Sequence, residues 1–364
     1  MKIALLSGAV KNAGDYLIED CTHSLLEYVY PNSSIQIFKR NESLANIINK
    51  INCADMIIFG GGPMLGQETY PDVIPLLPEL NDILPPIYTL GIGWYGKNTL
   101  DWTLYEDYKF GHAMKQLVGR MHETYQISCR DWYTYRLLRN SGYSNIVMTG
   151  CPAWYNLSCV ENDKLRTDIN IPYKKIIVSD PGYSINMNLA YDIVYYLRNK
   201  FQKAQIHFVF HRGIKQDENT SDKRARVNIA MLDKLAKLHV YTHDISYGLD
   251  GFSVYDDCDL HIGFRVHAHI YNLSKRSISI LMEEDARGAG VNEALGLTGI
   301  KPYSYTLNKN NGKVSLDNNE YVIQVLDDYL ASITSSGYIQ LRNSFRMMKE
   351  YFNIMVEHIK GFER

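Results

Sequence analysis

Apolar residues fall along this chain in two alternating patterns: short continuous runs, and longer segments in which they recur every three or four positions. Residues 2–7 are such a run and read as a buried strand. Residues 8–15 are a polar, glycine-containing turn, and residues 16–30 place Leu17, Cys21, Leu25 and Val29 on one helical stripe. The pattern then repeats. Strands are expected at 35–38, 55–59, 87–90, 126–130 and 146–149, with helices at 44–51 and 132–138. Six strand units complete one α/β domain.

Residues 156–173 are polar and unpatterned and read as a linker. A second series follows, with strands at 176–179, 206–210, 240–242, 260–264 and 277–282. Helices are expected at 189–201 and 229–238, and a third begins after residue 264 with Val266, Ile270 and Leu273 in phase. The charged stretch 215–226 reads as a solvated loop and helix start. After the Asn311-Gly312 turn, helices at 320–333 and 338–359 close the chain. The expected architecture is two Rossmann-like α/β domains, 1–160 and 173–335, facing across a cleft, with a C-terminal helix over 336–364. In the last helix Phe345, Met348, Phe352, Met355 and Ile359 form an apolar stripe beside Arg342, Arg346 and Lys349. Core packing and a membrane-surface face are the two readings of it.

Composition narrows the function classes. A chain of 364 residues with 46% apolar and 21% charged residues and a net charge of -2 has no basic excess for nucleic acid. No apolar run reaches membrane-spanning length, and the first residues are too short a run for a signal sequence, which implies the cytoplasm. Six cysteines without Cys-x-x-Cys spacing read as reduced, mostly buried thiols, and no metal-ligand motif is present. The 28 tyrosines suit sugar-stacking clefts as well as ordinary cores.

Candidate chemistry concentrates where strands end, because open α/β sheets place ligands at the carboxyl ends of their strands. Arg265 and His267 fall at the mouth of the helix after residue 264, beside free N–H groups and a positive dipole end suited to phosphate or carboxylate. Glu283, Glu284 and Arg287 lie on the loop after the next strand, and His211 and Arg212 end another. His269 flanks the apolar stripe and reads as packing. In the first domain, Asn12 and Asp15 sit on the first loop, where Asp15 could instead cap the helix. Gly60-Gly61-Gly62 is either a phosphate cradle or a tight crossing of strand and helix. Trp94 and Tyr95 bring aromatics to the same edge, suited to stacking on a sugar. Arg130 beside Asp131 reads as an ion pair fixing its loop.

Five motifs taken in order resemble the polysaccharide pyruvyltransferase family over nearly the whole chain. They are Asn12-Ala13-Gly14-Asp15, Gly60-Gly61-Gly62-Pro63-Met64-Leu65, Ser128-Cys129-Arg130-Asp131, Gly263-Phe264-Arg265-Val266-His267-Ala268, and Asp285-Ala286-Arg287-Gly288 with Leu295-Gly296-Leu297. The resemblance implies a two-domain GT-B-like fold and transfer of a pyruvyl unit from phosphoenolpyruvate to a sugar as a ketal, with no cofactor and no metal. The acceptor would be a sugar or lipid-linked oligosaccharide for a capsule or exopolysaccharide. Any peripheral membrane association would then be at the inner face, and the oligomeric state is left open. His267 would move protons and Arg265 would hold the donor anion. His211, Arg212, Glu284 and Arg287 would assist on the donor side; Asn12, Asp15, Gly61, Gly62, Trp94 and Arg130 would face the acceptor.

Three departures stand out. Asp180-Pro181-Gly182 replaces an arginine common after the first strand of the second domain, and His211-Arg212 is the candidate replacement charge. Lys275-Arg276-Ser277 replaces Gly-Val-Pro, and Arg287 stands where lysine is common. The competing reading is a GT-B-type glycosyltransferase with Glu283 or Glu284 on a nucleotide ribose. A silent sugar-binding or scaffold protein would be expected to lose the Arg265/His267 pair, which this chain keeps.

Overall fold

A computed structural model describes residues 1–77, 79–94, 96, 108–302, 306–307, 314–315 and 319–363. The first half forms a six-stranded parallel sheet of β1 (Lys2–Ser7), β2 (Ser34–Lys39), β3 (Met56–Leu65), β4 (Ile87–Trp94), β5 (Ile127–Cys129) and β6 (Ile146–Met148), in spatial order β2-β1-β3-β4-β5-β6. The second half forms a five-stranded parallel sheet of β7 (Lys175–Ser179), β8 (Gln205–Phe210), β9 (Tyr241–Asp244), β10 (Leu260–Gly263) and β11 (Ile278–Leu281), in order β11-β10-β7-β8-β9. Parallel strands are covered on both faces, which is why β1, β3 and β10 are mostly apolar and buried along nearly their whole length, Lys2 and Pro63 excepted.

Helices connect the strands: α1 (Ala13–Val29), the short turns α2 (Ile48–Ile51) and α3 (Thr69–Asp72), α4 (His112–Thr124), α5 (Trp132–Asn140), α6 (Met187–Lys200), α7 (Asp222–Ala236), α8 (Val266–Ser274), α9 (Ala286–Leu295), α10 (Asn319–Ser335) and α11 (Ile339–Lys360). Several boundaries differ from those expected. β3 runs on through the three glycines to Leu65, because Gly62 still pairs with Ile92 of β4 although Gly61 and Gly62 adopt φ of +58° and +76°. α1 begins at Ala13, so Asp15 lies in its first turn and Asn12 occupies the cap position without a side-chain cap bond. α4 was not expected, although Met114, Leu117, Val118 and Met121 are an i, i+3, i+4, i+7 stripe and are all buried. α7 starts at Asp222, within the stretch read as a solvated loop and helix start, and α9 takes in residues 286–288, which read as loop.

The last helix crosses back to the first half. Tyr30 hydrogen-bonds to the Ile359 carbonyl, Tyr88 OH to that of Phe362 at 3.0 Å, and His358 Nε2 meets the Thr89 carbonyl at 3.1 Å. Phe345, Met348, Phe352, Met355 and Ile359 are all buried. The stripe is therefore core, and the membrane-surface reading of that face is overturned. No helix among the described residues is long and apolar enough to cross a membrane. The Asn311-Gly312 turn lies outside the described residues. All six cysteines are free, with Cys129, Cys151 and Cys258 buried.

The two halves are tied at the first loop. Ala13 N–H donates to the His211 carbonyl at 3.1 Å, and Tyr247 N–H to that of Lys11 at 2.8 Å. The Lys11 ammonium, almost fully buried, reaches Asp217 and Thr220.

Candidate active site

Strand order decides where ligands can bind. In the first sheet the chain reverses direction of growth between β1 and β3; in the second it does so between β7 and β10. At such a point adjacent loops leave in opposite directions and open a crevice. Asn12 and Asp15 follow β1, Pro63 is on β3, Gly182 follows β7, and Arg265 and His267 follow β10. These residues, with Arg130, His211, Phe264, Glu284 and Arg287, line one cavity of about 80 Å³ between the halves.

Charge on the second-sheet side is arranged around Asp180. Its buried carboxylate takes Arg265 Nε at 2.7 Å and Nη2 at 2.6 Å, Arg224 Nη2 at 3.2 Å, and the His211 backbone N–H at 3.1 Å. Burial pushes the Asp180 pKa up, but Arg265 and then Arg224 overcome this and hold it below its ordinary value. Arg265 Nη1 makes no hydrogen bond among the described residues. Arg287 is likewise paired, Nε at 3.0 Å and Nη2 at 2.5 Å from Asp285. Glu284 accepts from Gly182 N–H at 2.6 Å, Tyr183 N–H at 3.1 Å and Asn186 Nδ2 at 2.7 Å. Burial outweighs these bonds and lifts its pKa to about 7.

His267 sits in the first turn of α8 and makes no hydrogen bond among the described residues. Burial first, then Arg130, His211, Arg287 and Arg265, push its pKa down to about 3, so the imidazole is neutral. Its neighbour in the other half is Gly14. A Cβ there would lie 2.5 Å from His267 Nδ1 and 2.7 Å from its Cβ, so only glycine lets α1 approach α8 this closely. That approach carries Asn12 and Asp15 into the cavity. Asp15 has a pKa raised by burial, against the lowering influence of Arg40, Asn12, Arg212 and Arg287.

A model of the polysaccharide pyruvyl transferase family matches residues 12–271, the span that holds all of these cavity residues up to His267. The chain belongs to that family. No match to a curated protein reaches significance. Among solved structures the chain is similar to UDP-GlcNAc 2-epimerase from Neisseria meningitidis bound to UDP-GlcNAc, with TM-score 0.59, 10% identity and coverage of 99% of this chain and 100% of that one. It is similar also to S. aureus MnaA in complex with UDP, with TM-score 0.60, 14% identity and coverage of 100% and 96%. Identities this low bear on the fold alone, which is two parallel-sheet α/β domains of the GT-B type.

Seen as a polysaccharide pyruvyl transferase, the chain explains its own departures. His211 does not supply the positive charge of the expected arginine: burial lowers its pKa to about 3, and its Nε2 is 2.8 Å from Tyr255 OH. Arg224 of α7, which sequence reasoning missed, brings a cation to that loop, bonded to Asp180, to the Pro181 carbonyl at 2.6 Å and to Ser184 Oγ at 3.1 Å. Arg276, in the Gly-Val-Pro position, donates to the carbonyls of Leu273 and Ser274 at the end of α8 and to those of Val160 and Asn162 in the linker.

The remaining expected site residues divide. Arg130 pairs with Asp131 at 3.0 Å, as read, and also lines the cavity. Arg212 is exposed and lines a neighbouring cavity instead. Gly61 and Gly62 line neither. A Cβ on Gly61 would lie 2.6 Å from Ile18, which makes this a tight strand–helix crossing, and Arg40 holds the segment by bonding to the Gly61 and Pro63 carbonyls. Trp94 is buried, edge-on to Tyr108, and offers no face to a sugar in either cavity; Tyr95 lies outside the described residues. Glu284, with both oxygens bound to the 182–186 loop, holds that loop and is not positioned as a free ribose acceptor. His269 is buried, its Nδ1 2.7 Å from Ser279 Oγ, which fits packing. No group of three or more His, Cys, Asp or Glu residues among the described residues could hold a metal.

Proposed function

We propose that this protein transfers a pyruvyl unit from phosphoenolpyruvate to two hydroxyls of a sugar, forming a cyclic ketal for a cell-surface polysaccharide. The observation that carries the reading is the small interdomain cavity in which a neutral His267 is ringed by Arg130, Arg265 and Arg287. Such a site suits a compact anion with a phosphate and a carboxylate, because guanidinium groups bind both and stay charged.

The chemistry requires the CH2 carbon of phosphoenolpyruvate to gain a proton and its C2 to gain two sugar oxygens while the C2–O bond to phosphate breaks. Of the two hydroxyl protons, one ends on the new methyl group and the other leaves with phosphate. A histidine that starts neutral fits this sequence: it takes the first proton from a sugar hydroxyl and passes it to the CH2 carbon. The bound donor's negative charge offsets the arginines and stabilises the transient imidazolium. Asp15, across the cavity, takes the second proton and passes it to the departing phosphate. Arg265 Nη1, Arg287 and Arg130 hold the carboxylate and the departing phosphate, so charge stabilisation needs no divalent ion.

The test is incubation with phosphoenolpyruvate and glycoside acceptors, following phosphate release and a mass gain on the sugar. Activity is expected to survive EDTA. Thermal protection by nucleotide sugars, with none by phosphoenolpyruvate, would overturn the reading in favour of sugar transfer.

A further inference from the structure

His211 is fixed at three points and unpaired at a fourth. Its backbone N–H donates to Asp180 Oδ1 at 3.1 Å, and its carbonyl accepts from Ala13 N–H of the other half at 3.1 Å. Its Nε2 lies 2.8 Å from Tyr255 OH. The residue is fully buried, yet it lines the cavity that holds Arg130, Arg265 and His267, and its Nδ1 makes no hydrogen bond among the described residues.

Tyr255 decides which ring nitrogen carries the proton. A neutral imidazole has one N–H and one lone pair, and the phenol has one proton to donate. Burial keeps both groups uncharged: it raises the Tyr255 pKa well above its ordinary value and lowers that of His211 to about 3. If Nε2 carried the hydrogen, the phenol proton would be left without an acceptor. The rings of Phe252, Tyr271 and His261 pack around Tyr255, and both nitrogens of His261 are taken by Ser279 and Ser179. If Nε2 instead accepts from Tyr255, the imidazole proton falls on Nδ1, and the one unpaired donor then belongs to a residue that a cavity ligand can touch. An unpaired buried donor costs free energy, so the second arrangement is favoured once an oxygen atom enters the cavity.

We propose that Tyr255 is a positioning residue that fixes His211 as a neutral hydrogen-bond donor, whose Nδ1–H binds an oxygen of the anionic donor substrate. This rests on the pyruvyl-transfer reading only for the name of that anion. The contact complements the arginines. Guanidinium groups supply charge, whereas an N–H on a residue anchored through its backbone and its other nitrogen supplies direction, with no rearrangement needed when the anion arrives. His211 thereby serves the donor side without the positive charge absent from the Asp180-Pro181-Gly182 loop.

The test is nitrogen-15 NMR of the full chain labelled in its histidine rings, with the His211 signals assigned by comparison with the His211→Gln and Tyr255→Phe chains. Before ligand is added the ring proton is expected on Nδ1. Saturating phosphoenolpyruvate or inorganic phosphate is expected to shift that resonance while the proton stays in place. By calorimetry, His211→Gln, whose amide reaches the position of Nε2, is expected to weaken phosphoenolpyruvate binding about tenfold or more; His211→Asn, whose amide reaches that of Nδ1, is expected to stay within about threefold of the parent. Tyr255→Phe removes only a hydroxyl and is expected to move part of the His211 proton to Nε2 with circular dichroism unchanged, a change that a merely structural tyrosine would not produce. A proton on Nε2 in the parent chain overturns the proposal, as does an Nδ1 resonance that saturating ligand leaves unmoved, or an unchanged Kd in folded His211→Gln. A protein whose Nδ1–H responds to inorganic phosphate but which releases none from phosphoenolpyruvate loses the proposed function and keeps this contact. One that pyruvylates glycosides with the His211 proton on Nε2 does the reverse.

Discussion

The two halves share one architecture, a parallel sheet wrapped by helices, yet they meet the site with different chemistry. The second half brings charges that are already paired: Asp180 with Arg265 and Arg224, Asp285 with Arg287, Glu284 with its loop. It also holds His207, His211, His261, His267 and His269, whose pKa values are all lowered, while the first half's His23, His112 and His122 are not buried. The first half brings a glycine that permits contact and a carboxylate at the junction of two cavities. One face thus presents buried, paired charges, and the other a close contact and a buried carboxylate. Similar folds divide labour through what their loops carry, not through their sheets.

The largest effect that would sharpen this contrast is acid lability. A histidine held neutral stabilises the fold fully above its unfolded value near 6.5 and loses that contribution as pH falls towards its folded value. Burial sets the folded values at about 3 for His211, His267 and His269 and about 4 for His207. Stability is therefore expected to decline steadily from pH 6.5 to 4, with hydrogen exchange rising first in residues 175–281. Earlier loss of protection in residues 2–148 would break the comparison.

Next in size is the proposed proton carrier. His267→Gln is expected to lower turnover by roughly two to four orders of magnitude while leaving phosphoenolpyruvate affinity nearly unchanged, read by phosphate release and calorimetry. If His269→Gln abolishes turnover in a folded protein while His267→Gln does not, the proton carrier has been misassigned.

Arg265→Ala removes the proposed donor contact and also leaves the Asp180 carboxylate, which is 2% exposed, with Arg224 as its one remaining cation partner among the described residues. A buried pair broken from one side costs about 3 to 5 kcal/mol, so the melting temperature is expected to drop along with donor affinity. Adding Asp180→Asn should recover stability but not donor binding. Recovery of both would make Arg265 purely structural.

Gly14→Ala tests the contact between halves. Its methyl would overlap His267, and an overpacked contact of this kind costs about 1 to 3 kcal/mol, expected here as lost turnover and a looser interdomain contact in small-angle scattering. The smallest effect is predicted for Trp94→Phe. With its ring buried beside Tyr108, acceptor KM should stay within about twofold of the parent, as for changes away from a site. A large rise in KM would return Trp94 to the acceptor side.

Much of this was legible in the order of residues. All eleven strands of the two large sheets were legible, the central ones because a strand buried on both faces is an apolar run, the edge strands β2 and β9 in spite of exposed residues along their length. Arg265, His267 and Arg287 were legible because a strand end followed by a helix start fixes where a side chain emerges. The glycines were half legible: a tight strand–helix crossing was one of their two readings, but that β4 pairs with them and keeps the strand going was not. Trp94 misled because an aromatic at a strand end looks exposed until a neighbour such as Tyr108 covers it.

What the sequence determined by itself was periodicity, and hence elements, their order and the edge at which loops gather, since these depend on residues close in the chain. Partnership was decided only in the tertiary structure. That Arg224, 44 positions from Asp180, supplies the charge missing from its loop, that His211 is neutral, and that Gly14 meets His267 all depend on groups brought together by two sheets docking. Burial and charge are properties of that surrounding volume, so neither is encoded by any local stretch of the chain.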